Sequence, residues 1–227
     1  MHDNDRENVY PERSDTMKIT DIKLIYAKHY LFVHVYTDEG IVGLGEAGNW
    51  GHLMATAEAI KKFSTWLIGK DPTRIDDIGQ NLYRSLYFRG SVIMSAISAI
   101  DIALWDIKGK KLGVPVYELL GGRTRDRVRV YASPMTKESD QEALKKSYVE
   151  LKENGFTAAK IFVNGPVKSE KNGRDEFFCG RVEDELEKVE MIREAVGRDF
   201  DLILEAHRGM TKPEAITFGR EVEQFRP

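Results

Sequence analysis

The sequence is poor in three features that would assign it to a special class of protein: cysteine, an excess of one charge, and long apolar runs. Its 227 residues include one cysteine, Cys179, which excludes an internal disulfide framework and fits a reducing cytoplasm. The 34 basic and 37 acidic residues are mixed along the chain, without the basic stripe that is typical of nucleic-acid binding. No apolar run approaches the roughly 18 residues needed to span a bilayer. We therefore expect neither nucleic acid nor membrane as a partner.

The N-terminal segment also lacks the apolar stretch of a signal peptide. Residues 1–16 are polar and charged, so we expect a disordered extension there rather than a targeting signal. The remaining composition, with 41% hydrophobic and 10% aromatic residues, is ordinary for a globular protein that buries a core. Because no activating pattern surrounds Cys179, we expect a plain loop cysteine and not a nucleophile.

The first half of the chain predicts an α+β domain that begins with an antiparallel meander. Apolar and polar residues alternate over residues 18–26, and β-forming residues are concentrated in residues 31–36. After the turn at Asp38-Glu39-Gly40, a third strand is predicted over residues 41–45.

Helical periodicity follows this meander. One helix is predicted after Trp50, and a second after Asp71-Pro72-Thr73, where the aspartate or the threonine would cap it. The longest helical pattern covers residues 91–112, and its small residues would permit close packing against a neighbour. Gly113 is expected to end this helix.

Beyond a polar linker over residues 123–127, with the domain boundary expected near residues 125–127, predicted strands alternate with predicted helices. The strands are expected over residues 128–133, 158–163 and 201–205, and the helices that follow them over residues 141–153, 182–196 and 213–225. Repeated strand–helix units imply parallel strands joined by right-handed crossovers, in either a barrel or an open sheet.

Functional side chains of such folds lie at the carboxyl ends of the strands. Glu205 and His207 are two residues apart on a strand, so we expect their side chains to project to the same side. There the carboxylate could serve as a metal ligand and the imidazole as a general acid or base. Solvated or helix-capping side chains are the alternative interpretation. Lys160 interrupts an apolar strand, so its stem either reaches the surface or is held where charge is useful. Asn164, just past the same strand, is a further candidate for substrate binding.

Several segments resemble one known family. The run from Ser95 to Lys110, continued by residues 113–122, resembles the signature helix of the mandelate racemase/muconate lactonizing enzyme family of the enolase superfamily. Residues 37–46 are similar to the cap hairpin of that family, and residues 68–75 look like the segment that follows it in acid-sugar dehydratases. The resemblance extends over nearly all of residues 17–227.

This resemblance implies a fold and a division into domains. Residues 17–126 would form an enolase-like α+β cap domain. Residues 127–227 would form the first three strand–helix units of a (β/α)₇β barrel of the TIM type. Because residues 223–227 resemble the segment before the fourth strand, we expect an incomplete barrel with an incomplete magnesium site.

The resemblance also implies a reaction, in which the proton next to a carboxylate is removed while Mg²⁺ offsets the developing charge. Glu205 falls on the first metal-ligand position, where most relatives have aspartate. His207 matches the Asp-x-His pattern of galactonate- and mannonate-type dehydratases, in which histidine is the general acid for loss of the β-hydroxyl. Trp50 and His52 lie in the loop that closes over the substrate in relatives, and are expected to contact it.

The resemblance favours a dehydratase over a racemase or cycloisomerase. Lys160 matches the first lysine of the family's Lys-x-Lys strand and is carried over as a catalytic residue. Phe162 stands at the position of the second lysine, which is the proton base of racemases and lactonizing enzymes. The base of a dehydratase would lie on a later strand.

The sequence is therefore interpreted as a cytoplasmic, Mg²⁺-dependent acid-sugar dehydratase similar to galactonate dehydratases. The expected substrate is a small sugar acid, and the full-length parent is expected to be a homo-oligomer. We expect no activity from this fragment alone. The alternative is a non-catalytic remnant or an assembly module.

Overall fold

A computed structural model describes residues 16–134, 140–163, 178–207 and 209–227, and the side chains of these except 178–181. The chain divides into two compact units, Met1–Asp126 and Arg127–Pro227. Of the predicted N-terminal extension, residues 1–15 lie outside the described residues. Within the described ranges, no helix has both the length and the apolar character needed to span a membrane.

The first unit begins with a three-stranded antiparallel sheet in the order β1-β2-β3. Strand β1 covers Ile19–Ala27, β2 Tyr30–Thr37 and β3 Val42–Glu46. Alternate residues of β2, namely Leu31, Val33 and Val35, are fully buried on one face of the sheet. The three predicted strands are therefore confirmed, and the buried residues alternate along β2 because one face of the sheet faces the core.

The described part of the first unit, residues 16–126, also contains four helices. They are α1 (Leu53–Leu67), α2 (Ile75–Arg84), α3 (Ser91–Leu112) and the short α4 (Val116–Leu119). Helix α3 has the predicted bounds and ends at Gly113, whose φ of 68° is left-handed and suits glycine. One expectation was wrong: neither Asp71 nor Thr73 caps α2, because the N-cap residue is Arg74 and no side chain caps the helix. The Asp71 carboxylate accepts hydrogen bonds from the backbone nitrogen and hydroxyl of Thr73, at 2.8 and 2.7 Å, and so closes the preceding turn.

Helix α3 packs directly on β3 because both surfaces lack large side chains at the contact. A Cβ atom added at Gly45 would overlap the carbonyl oxygen of Ala99, and one at Gly43 would overlap that of Ala103. The open backbone of β3 is also satisfied from α3, since the Asp106 carboxylate accepts the Leu44 amide at 2.8 Å. The small residues of α3 thus serve a close approach of two backbones.

Where the structure describes the second unit, it contains two parallel strands, β4 (Ala158–Phe162) and β5 (Asp201–Glu205), in which Phe162 pairs with Glu205. Its helices are α5 (Gln141–Glu153), α6 (Phe178–Val196) and α7 (Lys212–Val222), and a short 3-10 helix covers Glu223–Phe225. The core of this unit is formed by apolar residues from both strands and all three helices. Its largest fully buried side chains are Tyr148, Ile161 and Phe200.

Two predictions for the second unit were wrong. Residues 128–133 do not form a strand: among the described residues, the one bridge that they make is between Ala132 and Ala159, and Val128 and Val130 are 70% and 61% exposed. Helix α6 begins at Phe178, so Cys179 lies in a helix and not in a loop. Gly180 had interrupted the apolar pattern in the sequence, but the helix continues through it.

Arg193 of α6 is a buried residue whose guanidinium holds the C-terminal end of the unit. It is 8% exposed. Its nitrogens donate hydrogen bonds to four backbone carbonyl oxygens, those of Gly197, Phe200, Phe225 and Arg226, at 2.6–2.9 Å. The planar fork of a guanidinium allows this geometry, whereas an ammonium group is a single point of donation.

We expect Arg193→Lys to lower the free energy of unfolding of the second unit by about 2 kcal/mol, because one ammonium group cannot reach all four carbonyl oxygens and would leave some of them without a donor. This change is measured by urea unfolding that is monitored through hydrogen exchange of the backbone amides of residues 197–200 and 225–226. Arg198→Lys is the matched control, since Arg198 is exposed on the same segment. Equal losses in the two variants would contradict the assigned role of Arg193.

Candidate active site

The candidate site lies where the two parallel strands end side by side. Strand β4 ends at Phe162 and β5 at Glu205, and the two residues are partners in the ladder. Since the strands are parallel, their carboxyl ends are at the same edge of the sheet. The side chains of Lys160, Phe162, Glu205 and His207 meet at this edge.

Lys160 and Glu205 form a partly buried ion pair at the strand ends. The Nζ atom of Lys160 is 4.0 Å from Oε2 of Glu205, and the lysine and glutamate side chains are 18% and 37% exposed. The same ammonium lies 4.7 Å from the centre of the Phe162 ring. The sequence left open whether this lysine reaches the surface, and the structure places its side chain against Glu205 and Phe162 and largely out of solvent.

His207 is adjacent to Glu205, but for a different reason from the one the sequence suggested. Strand β5 ends at Glu205, so strand alternation does not apply to His207. Its backbone has a positive φ of 38°, in a turn that lets its amide donate to Glu205 Oε1 at 3.2 Å. The Nδ1 atom lies 3.9 Å from the same oxygen, and the imidazole is 60% exposed. Non-glycine residues with positive φ are uncommon, although histidine tolerates the conformation better than most.

Helices α5 and α6 fix the backbone that carries these side chains. The Tyr148 hydroxyl donates to the Lys160 carbonyl at 2.7 Å, and Lys188 Nζ donates to the Phe162 carbonyl at 2.9 Å. Lys188 also pairs with Glu185 at 2.7 Å, with both side chains largely buried.

The sequence reasoning missed these supporting residues. A glutamate and a lysine three apart on a helix resemble an ordinary surface pair. One signal was nevertheless present, because Glu185 follows Val182 and precedes Val189 at the three- and four-residue spacing of the buried face of α6. A charged residue at a core position of a helix indicates a specific partner.

The other predicted substrate contacts are Trp50, His52 and Asn164. Trp50 and His52 lie in the first unit, in the loop between β3 and α1. Trp50 is 71% exposed and its ring stacks on that of His29, with centroids 5.6 Å apart. His52 precedes α1 without a side-chain cap hydrogen bond. Asn164 lies outside the described residues.

The residues at the strand ends fit one ligand position of a Mg²⁺ site. The Glu205 carboxylate is a hard oxygen donor, and its partial exposure leaves room for an ion. The described ranges hold no group of three or more His, Cys, Asp or Glu side chains that could bind a metal. Mg²⁺ commonly binds through one or two carboxylates together with water and substrate oxygens. Glu205 is therefore suited to contribute to such a site without completing it.

Comparison with protein families gives two matches that together extend over most of the chain. A model described as the mandelate racemase/muconate lactonizing enzyme N-terminal domain matches residues 13–121. A model described as enolase C-terminal domain-like matches residues 143–227. The two matches fall in the first and the second unit, respectively.

Individual relatives agree with these matches. A D-galactonate dehydratase of Xanthomonas euvesicatoria pv. vesicatoria is 39% identical over 213 residues, which cover 93% of this chain and 54% of the relative. The crystal structure of an enolase from Pantoea ananatis with bound D-gluconate and Mg is 30% identical, with a TM-score of 0.80 over 93% of this chain and 58% of that one. The 3,6-anhydro-D-galactonate cycloisomerase of Zobellia galactanivorans is 31% identical, with a TM-score of 0.77 over 92% and 56%. The chain spans about half the length of the curated relatives it matches.

Proposed function

The chain belongs to the mandelate racemase/muconate lactonizing enzyme family of the enolase superfamily, and from this premise we propose that it carries part of the active site of a Mg²⁺-dependent acid-sugar dehydratase. The proposed reaction removes the proton next to the substrate carboxylate and then expels the β-hydroxyl as water. The product enol rearranges to a 2-keto-3-deoxy sugar acid. The first unit would be the cap of such an enzyme, and the second the beginning of its (β/α)₇β barrel.

The observation that carries this proposal is the grouping of a carboxylate, an imidazole and an ammonium group at the ends of two adjacent parallel strands. Glu205 lies within 4.0 Å of both Lys160 Nζ and His207 Nδ1. Active sites of barrel enzymes occupy this end of the strands, and their catalytic residues come from several different strands. D-galactonate dehydratase relatives support the choice of dehydration within the family.

Each residue of the cluster suits one part of this reaction. His207 is the general acid that would donate a proton to the departing β-hydroxyl, and its exposed imidazole is accessible to a ligand. Lys160 would attract the substrate carboxylate, because its ammonium faces the same edge of the sheet as His207. Glu205 is the proposed cation ligand of the chain. A Mg²⁺ ion bound there would supply positive charge against the negative charge that develops on the substrate carboxylate.

The presence of phenylalanine at position 162 disfavours a reaction in which a base on this strand removes or returns the substrate proton. The ring occupies the position where the resemblance places the base of racemases and lactonizing enzymes, and it cannot accept a proton. A cycloisomerase is the second candidate, because one structurally similar protein is described as such. Expulsion of an internal leaving group would also need an acid, so His207 would have a role in either reaction.

The proposal is tested with the gene product that contains this chain. It is incubated with a panel of hexonic and hexaric acids with Mg²⁺ and with excess chelator, and the 2-keto-3-deoxy product is scored. We expect Mg²⁺-dependent release of this product from at least one acid sugar. Conversion of a 3,6-anhydrohexonic acid in the same assay to a product of unchanged elemental composition would favour the cycloisomerase. No conversion of the hexonic and hexaric acids would contradict the dehydratase.

Within this assay, His207→Asn is expected to lower turnover by about 10²-fold or more while the affinity for Mg²⁺ is retained, because asparagine keeps a polar side chain but cannot act as an acid. Calorimetry with Mg²⁺ and steady-state kinetics measure the two effects separately. His34→Asn is the matched control, since His34 lies on β2 of the first unit. Unchanged turnover in His207→Asn would remove the general-acid assignment.

A further inference from the structure

We infer that Phe162 is a positioning residue, which holds Lys160 and His207 in place around Glu205; this inference rests on the proposed function of the same site. The two aromatic contacts of Phe162 use different parts of its ring. Lys160 Nζ lies over the ring face, 4.7 Å from the centroid. The His207 ring meets it in an edge arrangement, with centroids 6.3 Å apart and planes at 72°.

The strand geometry explains why this residue reaches both partners. Lys160 and Phe162 are two apart on β4 and therefore project to the same face, whereas Ile161 between them is buried on the opposite face at 1% exposure. Glu205, the ladder partner of Phe162, brings His207 next to it through the turn that follows β5. The Phe162 ring therefore contacts both Lys160 of β4 and His207, which follows β5.

The position of the ring is itself fixed through its backbone. The Phe162 carbonyl accepts a hydrogen bond from Lys188 Nζ at 2.9 Å, and the next amide, that of Val163, donates to the Glu205 carbonyl at 3.0 Å. Helix α6 and strand β5 therefore hold the end of β4 from two sides. Because its backbone is held in this way, the Phe162 ring offers the side chains of Lys160 and His207 a fixed surface to pack against.

His207 depends on a neighbouring surface of this kind. Its imidazole is 60% exposed and follows a left-handed backbone, so most of its orientations are open to solvent. Within the described residues, its recorded side-chain contacts are the Phe162 ring and Glu205. An aliphatic residue would fill the same volume, but it would offer neither a π face to an ammonium nor the edge geometry that aromatic pairs prefer.

The test compares Phe162→Leu with Phe162→Tyr, in which the aromatic face is kept. The first measurement is the NMR spectrum of the 227-residue chain, in which the His207 ring signals are identified by their loss in His207→Asn. We expect the ring-current displacement of these signals to disappear in Phe162→Leu and to remain in Phe162→Tyr. The His29 signals, displaced by Trp50, should be unchanged in both variants.

The second measurement is steady-state kinetics of the gene product containing the chain. We expect Phe162→Leu to lower kcat by about 10²-fold, as misplacement of a catalytic group by about 1 Å can do, with a smaller change in KM. Phe162→Tyr should restore most of kcat. Ile161→Val is the control for a general loss of packing, because it alters the core face of the same strand and should leave kcat unchanged.

The outcomes separate this inference from the proposed function. Loss of the ring-current displacement together with loss of kcat, both restored by tyrosine, supports the positioning role. If the wild-type enzyme is active and Phe162→Leu has the same kcat, the inference is overturned while the proposed dehydratase function stands. If the wild type converts no acid sugar, the proposed function fails, and the NMR comparison alone then decides whether Phe162 orients His207.

Discussion

Replacing Glu205 by glutamine is expected to lower acid-sugar dehydration by the gene product about 10³-fold or more and to weaken its binding of Mg²⁺. Glutamine keeps the shape of the side chain and one oxygen donor but removes the negative charge. A bound cation contributes several kcal/mol of charge stabilisation, and each 1.36 kcal/mol corresponds to tenfold in rate. The variant also leaves the Lys160 ammonium, 4.0 Å away, without its carboxylate. Loss of both cation affinity and turnover is therefore expected.

Glu190→Gln is the matched control for this variant, because it removes the same charge from an exposed position on α6. Calorimetric titration with Mg²⁺ and steady-state kinetics should leave that control at the wild-type level. Wild-type affinity for Mg²⁺ in Glu205→Gln would contradict the role of Glu205 as a ligand. Lost turnover with retained affinity would instead restrict Glu205 to holding Lys160 and His207.

The largest expected effect on stability comes from Gly45→Ala in the first unit. The added Cβ would overlap the carbonyl oxygen of Ala99, so α3 and β3 would have to separate. A backbone atom cannot move aside as the end of a flexible side chain does, and overpacking of a core commonly costs 1–3 kcal/mol. We expect a loss of about 3 kcal/mol or more, which is a large part of the stability of a typical domain.

Gly79→Ala is the control for this variant, and it is expected to change the stability in the opposite direction. Gly79 lies within α2, and a Cβ there would have no atom within 4 Å. Alanine in a helix interior is favoured over glycine by roughly 0.5–1 kcal/mol, so this variant should be more stable than wild type. Urea unfolding followed by tryptophan fluorescence reports on the first unit, which contains all three tryptophans of the chain. A Gly45→Ala variant as stable as wild type would contradict the direct packing of β3 on α3.

Much of the fold was predictable because its elements have strong periodicity. The β-forming residues 31–36 and the long helical pattern over residues 91–112 gave elements close to the observed β2 and α3. The errors occurred where a local pattern was overridden by its surroundings. Within the described ranges, the β-forming residues 128–133 pair with another strand only at Ala132. The carboxylate of Asp71 accepts hydrogen bonds from the turn before α2 and does not cap the helix.

The candidate site was predictable in its residue types but not in its geometry. Glu205 and His207 could be selected because they lie at the carboxyl end of a strand in a parallel sheet. The turn that orients His207 could not be predicted, because the alternation of residues along a strand does not indicate a positive φ after its end. Lys160 had two open interpretations in the sequence, and its pairing with Glu205 depends on the register of β4 and β5. Tyr148 and Lys188 contact the site through backbone carbonyls, which residue types alone do not reveal.

The most direct measurement is an anomalous difference map from crystals of the gene product grown with Mn²⁺, which occupies the same oxygen-rich sites as Mg²⁺. We expect a peak about 2.2 Å from a carboxylate oxygen of Glu205, with the His207 ring on the same side of the sheet edge. A fully occupied peak elsewhere, with the Glu205 and His207 side chains pointing away from each other, would contradict the assignment of this strand edge as the catalytic centre.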